Sequence, residues 1–339
     1  MKKIKIGQLG VCHEHASGKI RTLKLRPDLF DIVGVADDRQ SMSAKYDGEN
    51  LDYYKGLPFM SEEELFAVPG LEAVVVEVPN LDLVATANRC LEQNLPIHMD
   101  KPGGISYEAY CHMRKGFEER NLAFQMGYMF RGNPAIQWIQ KAVKKDWLGE
   151  VFGIQADMDH NYGGARYQQY ISNFSGGLML NLGCHLIDIV VSLLGRPTGV
   201  TPFLKSVGEP LTCNKNNCAA VLEYPHTIVM LRSCSKESCG IPGRRFKISG
   251  TKGTVDICPI ELFGDKEFTM KLHLTEGNED YSAGEHVVNF GCIRDRYERE
   301  LESFVQYIQK EATNPYDSAH DCLVEEVVLA ASGYTTWSY

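Results

Sequence analysis

An alternating strand that runs into a glycine turn, then a helix, then a second apolar strand, opens this chain and limits the folds available to it. Ile4, Ile6 and Leu9 alternate between Lys3 and Gly10, Ile20, Leu23 and Leu25 mark a helix, and Phe30 to Asp37 reads as the second strand. Ser61 with Glu64 three residues on forms a capping box for a short helix. Leu71 to Val78 follows as a near-continuous apolar run, the pattern of a strand buried on both faces. A helix over about Leu83 to Gln93 and a strand at Pro96 to Met99 continue the alternation, which predicts an α/β fold with a parallel, doubly wound sheet.

The texture changes near Val151. One strongly apolar helix, Gly183 to Leu194, precedes β-rich stretches at Ala219 to Tyr224, Thr227 to Cys234, Phe246 to Ile248 and Thr254 to Ile257. Turns at Tyr224 to His226 and Gly250 to Gly253 make these mainly antiparallel, so the second domain is expected to be α+β. Charged and amphipathic helices at about Arg294 to Gln309 and Asp321 to Ala331 close the pattern. The expected division is 1–124 and 125–339, with the last helices packing back on the first domain.

Composition narrows the function. A chain of 339 residues with 44% hydrophobic content is long enough for two cores. Its 44 acidic against 35 basic residues, net charge -9, come with no basic block, which argues against nucleic acid. No apolar run reaches the ~18 residues of a membrane span, and Met1 to Gly10 reads as a strand entry rather than a signal peptide. A cytoplasmic protein is expected. Eleven cysteines, an odd number scattered along the chain, suggest reduced thiols rather than a disulfide framework.

Gly7-Gln8-Leu9-Gly10-Val11-Cys12 lies between the first strand and first helix, where backbone amides and a helix N-terminus can face a pyrophosphate. Cys12 stands where a third glycine is usual, and by itself the segment reads equally as a tight turn. Asp37, at the end of the second strand, is placed to accept both hydroxyls of an adenosine ribose and to repel a 2'-phosphate, favouring NAD over NADP. Arg39 is a candidate for stacking on adenine or holding a phosphate, and a solvated Asp-Asp-Arg turn is the alternative for both.

From Asp100-Lys101-Pro102-Gly103-Gly104 onward the chain resembles the Gfo/Idh/MocA oxidoreductases. Pro79-Asn80, Gly127 to Pro134, Leu148 to Val151, Gly176-Gly177 with Asn181 to Asp188, and Gly250 to Gly253 agree in order and spacing. The resemblance implies an N-terminal NAD(P)-binding Rossmann domain, and a C-terminal domain whose large open sheet mediates oligomerisation, to a dimer or tetramer. It implies hydride transfer at a secondary hydroxyl of a sugar, inositol or related polyol. By similarity Lys101 touches nicotinamide ribose and substrate, His185 is the acid/base, and Pro79, Asn80 and Asp100 flank the cofactor. The family's usual Asp is Asn181 here and its Glu before the Lys is Asp100.

The residue types suit that chemistry. Hydride leaves a carbinol carbon only as the hydroxyl proton goes to a base, and histidine titrates in the needed range. Asn181, His185, Asp188 and Ser192 fall on one stripe of an apolar helix, with Asp188 the expected carboxylate to orient the imidazole. Lys101 leaves a buried strand at the carboxyl end of the sheet, where a cation can stabilise a developing alkoxide. Tyr128 and Arg131, with Tyr162, Arg166 and Tyr167 in a glycine-containing loop, are candidates for sugar contacts, and Asn181 for a substrate hydroxyl. Interdomain packing is the competing reading of the Tyr and Arg residues, and a solvated amphipathic helix that of the stripe.

No metal is expected. His13 and His15 sit two apart at a helix start, whereas helical zinc pairs sit four apart, so Cys12 and His13 are assigned to the cleft. Cys213, Cys218, Cys234 and Cys239 have zinc-like spacing, but a hairpin about Pro225-His226 pairs 218 with 234 and 213 with 239 on opposite faces. Two other functions remain: redox-assisted glycoside cleavage or epimerisation with tightly bound NAD, and a silent cofactor or sugar sensor.

Overall fold

The structure, a computed structural model, describes residues 2–37, 51–162, 164–208 and 214–338. Arg39 and Cys213 lie outside the described residues. The chain forms two compact units, Met1–Met129 with Tyr297–Glu325, and Phe130–Arg296 with Glu326–Tyr339.

The first unit holds a parallel sheet built from β1 (Ile4–Leu9), β2 (Phe30–Ala36), β3 (Phe59–Met60), β4 (Ala73–Val76), β5 (Ile97–Met99) and β6 (Phe124–Met126). Their order is β3-β2-β1-β4-β5-β6, with every neighbouring pair parallel. The order reverses beside β1, which makes the crevice at the strand ends the natural ligand site. β4 is Ala-Val-Val-Val with no solvent exposure, as its unbroken β-branched run requires.

Helices α1 (Ala16–Leu25), α2 (Glu62–Phe66), α3 (Leu83–Glu92) and α4 (Tyr107–Glu119) connect the strands. α2 is short and owes its start to Ser61, whose hydroxyl accepts the Glu64 amide while Glu64 accepts the Ser61 amide.

The second unit begins with α5 (Pro134–Lys144), β7 (Val151–Asp157), α6 (Ala165–Ile171) and α7 (Cys184–Leu194). It continues through β8 (Gly199–Lys205), β9 (Asn217–Glu223), β10 (Ile228–Cys234), β11 (Arg245–Gly250), β12 (Gly253–Ile257), β13 (Glu267–Leu274) and β14 (Gly284–Cys292). The sheet order is β14-β13-β12-β11-β7-β10-β9-β8, antiparallel except where β7 meets β10. Register sets its core: Leu222, Val229, Ile154, Ile248, Val255 and Leu272 align across six strands on one face and all are buried. α8 (Glu298–Ile308) returns to the first unit, and α9 (Ser318–Ala331) runs from the first unit into the second.

Three local expectations are corrected. The β9–β10 hairpin pairs Cys218 with Ser233 and Cys234 with Asn217, so the anticipated 218–234 register is one residue off. Arg166 and Tyr167 lie on α6 rather than in a loop. The Asn181 to Ser192 stripe is not one regular helix, because Met179–Gly183 forms a wide π-helical turn that joins α7. The described cysteines are all free thiols, and no helix among the described residues is long and apolar enough to cross a membrane.

Candidate functional site

In the first unit the ends of β1, β2 and β4 surround a cavity of about 340 Å³. Gly10 sits at its floor, with a φ of +90°, and a Cβ there would lie 2.7 Å from the backbone of Glu77. Only glycine lets the chain turn this close to β4. Asp37 reaches the same cavity, as do Asp82, Thr86 and a Glu62–Arg89 ion pair. An adenosine fits such a wall: apolar at Leu9 and Val78, acidic where a ribose diol needs acceptors. Gly7 is a packing glycine, since its Cβ would meet Leu65 at 2.7 Å.

Beside this cavity the β1–α1 turn and the ends of β4 and β5 bury a set of ionisable groups. Lys101 is fully buried, and its Nζ donates to Glu14 Oε1 at 3.0 Å while its backbone N–H donates to Asp100 at 2.7 Å. His15 Nδ1 lies 3.0 Å from Asp100 Oδ1, and Asn80 Nδ2 reaches the Lys101 carbonyl at 3.5 Å. Lys19 Nζ lies 2.6 Å from His98 Nε2, whose ring is held on its other side by Gln125 at 3.0 Å. Cys12 and Pro79 are buried around the same turn.

Burial and charge pull these groups apart. Burial pushes the His13 imidazole down to about 4, so it is neutral at ordinary pH. Burial would raise Glu14, but the Lys101 ammonium, with His15 and His13 behind it, brings it down to about 2. Burial also opposes ionisation of Asp100, yet the histidines His13 and His15 hold it well below the usual range. Glu77 goes the other way, raised by burial and by Asp100 beside it.

The second unit contributes a different set. His185 is the second residue of α7 and Asn181 lies in the π-helical turn before it; both are buried. Asn181 Nδ2 donates to the Tyr167 hydroxyl at 3.2 Å, and the Phe130 ring meets the His185 imidazole edge-on at 5.7 Å. Tyr162 stacks on His160 with ring centres 3.9 Å apart and remains 41% exposed, an open aromatic face. Asp188, expected to orient His185, is clasped by Arg131, with Nη2 to Oδ1 at 2.6 Å and Nε to both oxygens at 3.1 Å. Arg131 is therefore committed to α7, and Ser192 bonds to Gln140 and Ile189. Arg166 is exposed on α6, and Tyr128 is buried in the first unit.

Sequence reasoning passed over Glu14 as the lysine's partner, and Lys19, Glu77 and His98 beneath it. A charged or imidazole side chain inside an otherwise apolar strand or helix face was the available signal.

The two sheets define a class: a doubly wound Rossmann unit joined to a unit built on a large mixed sheet. Residues 136–256 match the model of the GFO/IDH/MocA C-terminal domain. An uncharacterized oxidoreductase of Schizosaccharomyces pombe is 25% identical over 241 residues, covering 68% of this chain and 64% of that relative. Among solved structures, UDP-N-acetylglucosamine 3-dehydrogenase GnnA from Acidithiobacillus ferrooxidans superposes with a TM-score of 0.78 at 18% identity, covering 98% of both chains. A levoglucosan dehydrogenase in complex with NADH and levoglucosan also gives 0.78, at 13% identity and 98% of both chains. Other neighbours of this fold are described with NAD+ or as NADPH-dependent.

Proposed function

We propose that this chain is an NAD-dependent dehydrogenase that moves hydride between a secondary hydroxyl of a sugar, inositol or related polyol and the nicotinamide. The observation that carries the reading is the acid-rimmed cavity at the sheet's reversal point, with Gly10 at its floor and Asp37 at its lip. Among the described residues three carboxylates, Asp37, Glu62 and Asp82, line it against one arginine already paired with Glu62, which favours a free ribose 2'-hydroxyl over a 2'-phosphate. The nicotinamide, when bound, supplies the hydride acceptor.

The chain's own groups divide the rest of the work. His185 takes the hydroxyl proton as the carbinol C–H bond breaks. Lys101, paired with Glu14, stabilises the negative charge that grows on the oxygen. Asn181 with Tyr167 offers an amide and a phenol to a second hydroxyl, and the open face of Tyr162 suits the apolar side of a sugar ring. Asn181 stands where the family has a carboxylate and orients without bearing charge. Phe203, Ile228 and Met230, apolar and exposed on the second unit's sheet, support self-association, with a small-molecule substrate as the other partner.

The test is a panel of polyols, inositols, sugars and glycosides with NAD+, followed by NADH formation. Lys101→Ala and His185→Ala should each lower turnover by about 10²-fold or more while NAD+ binding survives. NAD+ retained through turnover without net NADH would instead indicate glycoside cleavage by transient oxidation. NAD+ binding with no redox exchange on any panel member would leave a sensor.

A further inference from the structure

One face of α3 walls the cavity at the ends of β1, β2 and β4. Asp82, Ala85, Thr86 and Arg89 fall at i, i+3, i+4 and i+7, and all four line it. The helical rise sets Arg89 about 10 Å along that wall from Asp82. On the sheet side, β3 pairs with β2 at Met60 and Ala36. Asp37 leaves the sheet one residue past that pair and Glu62, the first residue of α2, two residues past it, so the two carboxylates enter the cavity from neighbouring strands.

Hydrogen bonds fix how Arg89 is held. Its Nε donates to Glu62 Oε1 and its Nη2 to Glu62 Oε2 at 2.8 Å, while Nη2 also donates to Thr86 Oγ1 at 3.1 Å. A guanidinium carries one hydrogen on Nε and a pair on each Nη. With the Nε hydrogen and both Nη2 hydrogens taken, neither two-nitrogen fork, Nε with Nη2 or Nη1 with Nη2, is left for a phosphate. The fastening is light all the same. Side-chain exposure of 46% for Arg89 and 25% for Glu62 lets water reach the pair, and such ion pairs are individually weak.

We infer that Arg89 is a latent ligand for a ribose 2'-phosphate and that Glu62 is the latch that holds it closed, so this pair sets, with Asp37, which nicotinamide dinucleotide the chain takes. The inference rests on the dinucleotide reading of the cavity and adds to it the residues that decide cofactor preference. Asp37 repels a 2'-phosphate, and Glu62 denies it a cation. Without the Glu62 carboxylate, Arg89 keeps its bond to Thr86 and regains the Nε–Nη2 fork, and the carboxylates lining the cavity among the described residues fall from three to two.

The test is calorimetric titration of the full chain with NAD+ and with NADP+, with no alcohol present. The wild-type chain should prefer NAD+. Glu62→Ala, at a helix start whose capping bonds come from Ser61 and Glu64, should raise affinity for NADP+ relative to NAD+ by about 10-fold or more. Adding Arg89→Ala should abolish that gain, and Arg89→Ala should move the ratio about 10-fold more without Glu62 than with it. The half-ligands 2',5'-ADP and 5'-AMP should repeat the pattern. Glu62→Gln, which keeps the shape and drops the charge, should give a smaller gain in the same direction and decides the matter where Glu62→Ala folds poorly. A wild-type preference for NADP+, an unchanged ratio without the Glu62 carboxylate, or a gain that persists without Arg89 and so belongs to another cation such as Arg39, overturns the inference. A wild-type chain that binds neither dinucleotide overturns the reading of the cavity and this inference with it. Binding of NAD+ without oxidation of any member of the polyol panel overturns the dehydrogenase alone.

Discussion

Lys101 is buried without exposure and pairs with Glu14 at 3.0 Å, so the pair bears on stability as well as on the proposed chemistry. Removing one member of such a pair leaves the other charge uncompensated, and that is the expensive half of the experiment. Glu14→Gln should destabilise the chain by about 2–4 kcal/mol, and Glu14→Gln with Lys101→Met should recover part of the loss. Urea unfolding of the single and double variants checks this; equal stabilities would show that Lys101 does not depend on Glu14. Glu325 makes the pH argument. Burial pushes its carboxyl up to about 8, against a hydrogen bond from the Gly103 amide that lowers it. The folded group keeps its proton over a range where the unfolded group has lost it, so its contribution is complete below about 4.5 and falls as pH rises toward 8. The span corresponds to up to about 5 kcal/mol. Glu325→Gln should therefore flatten the decline in unfolding free energy between pH 5 and pH 8; a wild-type slope unchanged by the substitution would contradict it.

Elements were legible where a local rule fixed them. Ser61 and Glu64 announced α2 through reciprocal bonds that both form, and the Val run announced β4 because a strand buried on both faces needs no alternation. β13 was open to reading as well, since Phe268, Met270, Leu272 and Leu274 alternate inward, whereas β8 buries none of its residues and offers no pattern. The π-helical turn at Met179–Gly183 left no trace in composition, yet it breaks the spacing that joined Asn181 to Ser192. Ion pairs were hidden for a different reason: Lys19 and His98 stand 79 residues apart, and Arg131 meets Asp188 across 57. No periodicity encodes such partners. The glycine turn sits between these extremes, because the motif is visible but its necessity is geometric. Gly10→Ala puts a Cβ against the Glu77 backbone at a positive φ, which should cost at least about 2 kcal/mol and move the turn. Weakened NAD+ binding beside a lowered unfolding midpoint is expected; an unchanged dissociation constant would detach the turn from the cofactor.

At the scale of the whole molecule, the second unit's sheet buries one face in core and exposes apolar side chains on the other. Ile228, Met230, Val221 and Phe203 share that outer face by register, with Ile228 at 60%, Phe203 at 49% and Met230 at 46% exposure. An apolar run across three neighbouring strands is more than scattered surface residues, and it has the character of a surface that another chain covers. Self-association through this sheet is the reading proposed for it, with a second copy as the partner. Met230→Glu tests it well: the side chain already faces solvent, so the isolated chain should keep its stability within about 0.5 kcal/mol, while a carboxylate buried between two sheets without a partner opposes pairing. Light scattering after size exclusion should show the wild-type chain at a multiple of its mass and the variant shifted toward monomer. A wild-type chain already monomeric, or a variant that assembles unchanged, would leave the outer face to solvent.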